Sequence, residues 1–406
     1  MKILVLNSGS SSIKYALFKM PEQTSLLSGL LEQIGELISH HSYQYLSDSG
    51  KQKVQQELAI ENHLQGLNAI REVVQNSGWL NDFHDLFCIG HRVVHGGELF
   101  TQPTLLSAQV IVQIKAMAPL APLHNPANLL GIEVALQLAD TVPQVAVFDT
   151  AFHQTLPNYA YHYPLPNSLY KELKLRRYGF HGTSHQYLAE QAALLLDKPL
   201  CELNLITLHL GNGASACAIA NGLSVDTSMG LTPLEGLMMG TRSGDIDPMI
   251  YDYLHREKNW SLEQISQILN KDSGLKGVCG SNDMRTVAEL ASQGNENAKL
   301  ARQMYAYRIK KYIGAYYAVL GRVDAIVFSG GIGEHDAQLR AECCKNLENL
   351  GIKIDRQQNL SPAEHNGQIQ HLESKTAVLV IATQEELAIA LHAWHRCIEK
   401  NKEAVI

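Results

Sequence analysis

An α/β protein of two domains is what this sequence predicts, on three observations. Its 406 residues exceed what one hydrophobic core usually organises. Two stretches about half a chain apart, around Asn7 and Gly211, share one layout: an apolar strand, a tight turn of small residues and a returning strand. Toward the C-terminus apolar strands run into helical patterns, and a purely parallel doubly wound sheet would carry no such hairpins. The shared layout reads either as an internal duplication, its two turns facing each other across a cleft, or as two hairpins that merely look alike.

The elements follow in order. Residues 2–6 and 13–18 are strands around "NSGSSSIK", a Ser/Gly tract too short and too tightly flanked to be a linker. "SYQYL" and "KVQQELAI" around "SDSG" form another hairpin. The spacing of Leu64, Leu67, Ile70, Val73 and Val74 predicts a helix over 61–76. "LFCIGHRVVHGG" is a strand ending in charge and glycine. "HNPANLLGIEVALQLA" starts a helix with Asn125 as cap and Pro126 in the first turn. "QVAVFD" is a buried strand ending at Asp149. The proline- and aromatic-rich "AFHQTLPNYAYHYPLP" reads as irregular connection, and a domain boundary is placed near residue 150.

In the second half, "TSHQYLAEQAALLL" is a capped helix. "NLITLHLGNGASACAIANGLSVD" is three strands joined by Gly-Asn-Gly and Asn-Gly turns. "SLEQISQILNKDSGLKGV" and residues 283–321 are helical. "VDAIVFSGGIGEH" is a buried strand running into a glycine turn. "TAVLVIATQEELAIALHAWHRCIEK" is a strand and a helix, with Thr383 and Glu386 spaced as a capping box.

Composition excludes several function classes. A net charge of −7 with no basic block argues against a nucleic-acid partner. The cysteines (Cys88, Cys201, Cys217, Cys279, Cys343, Cys344, Cys397) are scattered and form no C-x-x-C pair, which argues for a reducing compartment. The opening apolar run is shorter than a signal-peptide core, and no stretch reaches the ~20 apolar residues of a membrane span. The expectation is a soluble cytoplasmic protein with neither membrane nor nucleic-acid partners. No P-loop pattern occurs. "GNGASA" matches G-x-G-x-x-A but leads into a strand, so the context of a dinucleotide site fails. The histidine pairs "HRVVH" (His91, His95) and "HGTSH" (His181, His185) lack the glutamate of H-E-x-x-H and do not read as helical zinc sites. No G-x-S-x-G elbow is present.

What survives points to phosphate. Four glycine turns, "NSGSSSIK", "HLGNG", "GTRSGD" and "SGGIGE", lie at strand ends or beside charge, where backbone N–H groups make concave anion sites. A polyphosphate needs several such cradles, because its charge is spread over many oxygens. Arg92 and Arg242 sit among glycines that let a ligand approach the backbone, and arginine matches carboxylate and phosphate oxygens bidentately. An isolated arginine serves equally as a structural ion-pair partner. Asp149 ends a buried strand, a common place for a functional carboxylate and also for a loop cap. Glu385 lies in a helix's first turn, where the dipole favours an anion and plain helix-start glutamates also occur.

Together, "LVLNSGSSSIKYALF", "GHRVVHGG", "LAPLHNPANLLGI", "VAVFDTAFHQTLP", "RRYGFHGTSH", "HLGNGAS", "DTSMGLTPLEGLMMGTRSGDIDP" and "GGIGE" resemble the acetate kinase (acetokinase) family over essentially the whole chain. The resemblance implies two ribonuclease-H-like, actin-like ATPase domains around a nucleotide cleft, in the superfamily of acetate and sugar kinases, heat-shock chaperones and actin. It implies an N-terminal domain of residues 1–150 completed by a C-terminal helix 384–406, a nucleotide-binding domain of residues 151–383, and a homodimer. The implied reaction transfers a phosphoryl group from ATP to acetate, giving acetyl phosphate and ADP, with Mg²⁺ or, as an alternative, Mn²⁺.

By motif, the resemblance assigns Asp149, His181, Arg242 and Arg92 to catalysis. It assigns Val94, Leu123, His124, Phe180 and Pro233, with Arg92, to the acetate. To the nucleotide it assigns Ser10, Ser12 and Lys14, then His209, Leu210, Gly211, Asn212 and Gly213. Asp283, Met284 and Arg285 follow, with Gly331, Ile332, Gly333, Glu334 and His335. Asn7 and Glu385 serve the metal. Asp149 is expected to orient Arg242 or a magnesium-bound water, because the acceptor carboxylate is already ionised at pH 7 and leaves a base little to remove. Asn282, His335 and Gln384 depart from the family pattern, all expected on the nucleotide side. Two rival readings are a propionate kinase and a non-metabolic ATPase of the same fold.

Overall fold

The computed structural model describes residues 1–47, 49–122 and 124–403, with side chains to residue 400. The chain divides into two compact units, Met1–Ala151 with Gln384–Ile406, and Phe152–Thr383.

Unit 1 is built on a sheet of β1 (Lys2–Ser8), β2 (Ser12–Lys19), β3 (Thr24–Glu32), β4 (Ser39–Ser47), β5 (Gly50–Leu58), β6 (Cys88–Val93), β7 (Thr104–Leu105) and β8 (Gln144–Phe148). Their order is β5-β4-β3-β2-β1-β6-β8-β7. β1 to β5 pair successively in antiparallel, and β1, β6 and β8 run parallel. Its helices are α1 (His63–Asn76), α2 (Ala108–Ala116), α3 (Asn125–Leu138) and the C-terminal helix Glu385–Glu403. Alternate residues of β1 face opposite sides. Leu4 and Leu6 meet Leu67, Ile70 and Val74 of α1 and Val134 and Ala135 of α3. Ile3 and Val5 meet Leu387, Ile389, Ala390 and Ala393 of the C-terminal helix. Burial on both faces explains why these strands read as unbroken apolar runs. The C-terminal helix approaches β6 closely: a Cβ at Gly90 would lie 3.0 Å from Ile389 Cγ2 and 3.3 Å from Ala393 Cβ.

Unit 2 begins with the short helices α4 (Asn158–Tyr161) and α5 (Asn167–Leu173), then α6 (Gly182–Leu196). Its sheet comprises β9 (Asn204–Leu210), β10 (Ala214–Ala220), β11 (Leu223–Thr227), β12 (Ala325–Ser329) and β13 (Ala377–Val380), in the order β11-β10-β9-β12-β13. Between β11 and β12 lie α7 (Ile250–Lys258), α8 (Leu262–Lys271), α9 (Gly274–Cys279), α10 (Met284–Ser292) and α11 (Glu296–Leu320). After β12 come α12 (Gly330–His335), α13 (Ala337–Cys344) and α14 (Arg356–Leu360). The first three strands are antiparallel and the last two run parallel to β9. This is the plan of β3-β2-β1-β6-β8 in unit 1, so the repeated hairpin layout reflects a repeated topology.

Four local expectations are corrected. α3 begins at Asn125, so His124 holds the cap position, and the Asn125 amide instead bonds both backbone groups of His95. α6 begins before Thr183, with His181 in the cap position. The glycine turn after β12 is the short helix α12. The C-terminal helix starts at Glu385, which leaves Thr383 ahead of its cap position; the Thr383 hydroxyl bonds Ser184 and Glu386 pairs with Lys14.

Candidate active site

In unit 2, three strings far apart in sequence converge on one cavity of about 590 Å³. Gly211 and Asn212 of the β9–β10 turn line it, with Asp283, Met284 and Arg285 at the start of α10, and Gly331, Ile332 and His335 of α12. The turn is closed by Gly211 N–H donating to the Gly213 carbonyl at 3.0 Å. Two glycines here are closely approached by their neighbours. Gly330 sits at φ +76, where a Cβ would lie 2.6 Å from the Leu210 carbonyl oxygen. A Cβ at Gly240 would lie 2.0 Å from Asn212 Oδ1.

Two arginines brace α12 and the chain that follows it. Arg302 donates to both carboxylate oxygens of Asp336, at 2.8 and 3.1 Å. The buried Arg340 donates to the carbonyls of Gly333 and Glu334, at 2.8 and 2.9 Å. At the rim, Asp283 caps α10 and pairs with Arg285, whose side-chain hydrogen bonds pull the Asp283 carboxyl down to about 2.

A second group in unit 2 surrounds Gly213. His181 occupies the cap position of α6 at φ 57, a left-handed conformation that a non-glycine residue adopts at a cost of about 1–3 kcal/mol. A Cβ at Gly213 would lie 3.5 Å from His181 Nε2 and 3.9 Å from Arg242 Nη1, so both side chains border that glycine. The His181 and His209 rings lie 4.5 Å apart. The Nδ1 atom of each faces a hydroxyl, Ser215 at 2.9 Å and Ser184 at 2.8 Å. Arg242 Nη1 also donates to the Pro233 carbonyl at 3.4 Å. The loop bearing Pro233 and Arg242 is closed by mutual bonds between Gly236 and Asp245.

In unit 1 the functional side chains are paired charges. Arg92, beside the end of β6, donates through Nε to Asp149 Oδ1 at 2.9 Å and through Nη2 to Oδ2 at 2.6 Å. Desolvation disfavours the Arg92 charge, but Asp149, with Glu385 and Glu386, outweighs it and holds the guanidinium pKa above its ordinary value. Lys14 stands opposite Asn7 on the β1–β2 hairpin and pairs with Glu386 at 2.6 Å. The strand ends are stapled by α3. Asn128 accepts from Val94 N–H at 3.1 Å and donates to the Ser8 carbonyl at 2.7 Å.

The model of the acetokinase family matches residues 2–391. The chain belongs to that family. It is 52% identical to an acetate kinase of Sulfurovum sp. over 96% of this chain and 97% of the relative. Two solved structures share its fold at a TM-score of 0.90. An acetate kinase of Porphyromonas gingivalis is 42% identical, covering 97% of this chain and 99% of its own. A propionate kinase of Francisella tularensis is 43% identical, covering 96% and 98%. The two-domain, actin-like ATPase fold follows from these matches.

Against the acetokinase resemblance, the marked residues distribute as follows. The unit 2 cavity gathers Gly211, Asn212, Asp283, Met284, Arg285, Gly331, Ile332 and His335. His209, Leu210, Gly213, Gly333 and Glu334 adjoin these strings without lining the cavity. Phe180 is buried and Pro233 half-buried in the same unit. Unit 1 holds Asn7, Ser10, Ser12, Lys14, Arg92, Val94, His124, Asp149 and Glu385. Leu123 lies outside the described residues. Within unit 1, Asp149 pairs with Arg92. Asn282 and His335 line the cavity, and Gln384 belongs to unit 1.

Sequence reasoning missed Asn128, which holds strand ends, and Arg340, which holds α12, and it read Asn125 only as a helix cap. It also missed Thr207, His185 and Ser215 behind His181. "HGTSH" did single out His185, but only as a zinc ligand to reject. Among the described residues no group of three or more His, Cys, Asp or Glu side chains is arranged to hold a metal, and no helix is long and apolar enough to cross a membrane.

Proposed function

We propose that the chain transfers the γ-phosphoryl group of ATP to acetate, reversibly and by direct in-line transfer, giving acetyl phosphate and ADP. Membership of the acetokinase family over residues 2–391 carries this reading. The unit 2 cavity takes the nucleoside. The glycine turn at Gly211–Gly213 and the serines and lysine of the β1–β2 hairpin take phosphate oxygens. Acetate is bound by Arg92, with Val94, Leu123, Phe180 and Pro233 toward its methyl group and His124 nearby.

Such a transfer depends on positioning and on neutralising charge at the equatorial oxygens. Arg92, Arg242 and His181 supply that neutralisation. An acetate oxygen attacks the γ-phosphorus as the bond to the ADP oxygen breaks; the acceptor is already ionised and needs no base. Asp149 is then a positioning residue. By occupying Nε and one Nη2 proton of Arg92 it fixes the guanidinium plane and turns the Nη1 side to a substrate oxygen. Asn7 and Glu385 present oxygen ligands, which suits Mg²⁺, an ion usually held by one or two such groups together with substrate phosphates and waters. Bound there, the ion would neutralise phosphate charge. The same reading places the protein in the cytoplasm as a homodimer.

Propionate is the second acceptor to weigh, since a propionate kinase shares the fold at equal TM-score. One methylene in an apolar pocket discriminates by only about 1–3 kcal/mol. Comparing kcat/KM for acetate, propionate and butyrate tests the assignment. A preference for acetate is expected, and a preference for propionate overturns it.

A further inference from the structure

A buried hydrogen-bond chain ends on His181. Thr207 Oγ1 lies 2.7 Å from His185 Nδ1, His185 Nε2 lies 2.8 Å from Ser215 Oγ, and Ser215 Oγ lies 2.9 Å from His181 Nδ1. Thr207, His185 and Ser215 are all 0% exposed, so each proton must find its acceptor within the chain.

That requirement selects one direction. Suppose His181 donates to Ser215, Ser215 to His185 and His185 to Thr207. The Thr207 hydroxyl proton is then stranded, because His185 Nδ1 is the only partner of that hydroxyl among the described residues. If both rings donate to Ser215, the Ser215 proton is stranded instead, since the two histidines are its only side-chain partners among those residues. In the remaining order, Thr207 donates to His185 Nδ1, His185 Nε2–H to Ser215, and Ser215 to His181 Nδ1. Every proton is used, and only a lone pair of Thr207 goes unfilled, which costs less than a buried unpaired donor. This order needs a neutral His185, and burial pushes that ring's pKa well below its ordinary value.

We infer that Thr207, His185 and Ser215 set His181 in the neutral tautomer that carries its proton on Nε2. The Nε2 edge borders Gly213, which Arg242 also approaches. His181 therefore meets developing negative charge as a neutral donor, with no additional proton needed. Thr207, His185 and Ser215 are positioning residues for it. The inference rests on the reading that His181 acts on the transferring phosphoryl group.

The test is the nitrogen spectrum of the full-length protein labelled with ¹⁵N-histidine, at pH 7.5 without substrates. The His181 signals are assigned by their loss in His181→Gln. A protonated Nε2 with an acceptor Nδ1 is expected; an Nδ1–H ring or an imidazolium overturns the inference. In Thr207→Val, which keeps the shape and loses the donor, the His181 signals shift. Its kcat falls about 10- to 100-fold, the usual cost of losing the outer partner of a functional histidine. KM for both substrates stays within about twofold, and Thr207→Ser restores both readouts. An unchanged tautomer and kcat in Thr207→Val also overturn it. If Thr207→Val does not fold, the wild-type spectrum decides alone. The spectrum does not depend on turnover, so a failure of the acetate assay would remove the functional reading and leave the tautomer result standing.

Discussion

The two units share a strand plan and use different chemistry at its corresponding edges. β1–β2 and β9–β10 are both antiparallel hairpins closed by a short backbone bond, Gly9 N–H to Ser12 O at 2.8 Å and Gly211 N–H to Gly213 O at 3.0 Å. Beside the first stand paired charges, Lys14 with Glu386 and Arg92 with Asp149. Beside the second stand two histidines whose Nδ1 atoms face hydroxyls, and a cavity that Gly211 and Gly331 help to line. A duplicated scaffold thus fixes where function sits without fixing how charge is handled there.

The comparison breaks most visibly at Arg92. Arg92→Ala should lower kcat by about 10²–10³-fold, the scale of losing one preorganised stabiliser of transition-state charge. Arg92→Lys should not restore it, because a point charge cannot hold Asp149 and a substrate oxygen in one plane. Asp149→Asn should lose activity in a way that raising the pH does not cure; recovery at high pH would make Asp149 a base.

In unit 2 the sensitive element is backbone. Gly330→Ala forces a side chain to φ +76 against the Leu210 carbonyl. It should cost about 1–3 kcal/mol in thermal unfolding and raise KM for ATP more than KM for acetate. An unchanged melting curve would contradict the strained turn.

Acid should separate the units next. Burial lowers His41, His91, His95 and His392 of unit 1 to about 4, and His153 of unit 2 to about 4 with His185 well below its ordinary value. The unfolded chain binds more protons than the fold below about pH 6.5, so this stability is complete above that pH and is lost as pH falls toward 4. Each such histidine costs about 1.4 kcal/mol per pH unit in that window. Four of these six histidines lie in unit 1, so unit 1 should lose amide-exchange protection first between pH 6.5 and 5; equal loss would contradict that imbalance.

The smallest stability effect is at Lys14, whose half-exposed pair with Glu386 is worth about 0–1 kcal/mol. Lys14→Met should leave the melting temperature nearly unchanged and raise KM for ATP. A large drop in melting temperature would make the pair structural.

The local code was legible wherever one segment carried its own signal. The β9–β10–β11 run, with its Asn-Gly turns, reads directly from alternation. The cap positions did not, because Asn125 and Thr383 have the composition of caps and are drawn to distant partners, His95 and Ser184. Arg92 was visible as a functional arginine through its glycines, yet its partner Asp149 lies 57 residues away, a pairing no local pattern contains. Arg340 and Thr207 were silent for the same reason: an arginine on a helix and a threonine in an apolar strand look ordinary until the fold surrounds them.

The most direct test is acetyl phosphate and ADP formation from Mg·ATP by the purified full-length protein, with and without acetate. Acetyl phosphate should appear in step with ADP, and ADP formation should fall to background when acetate is withheld. ATP turnover that ignores acetate and yields no acetyl phosphate would contradict the assignment.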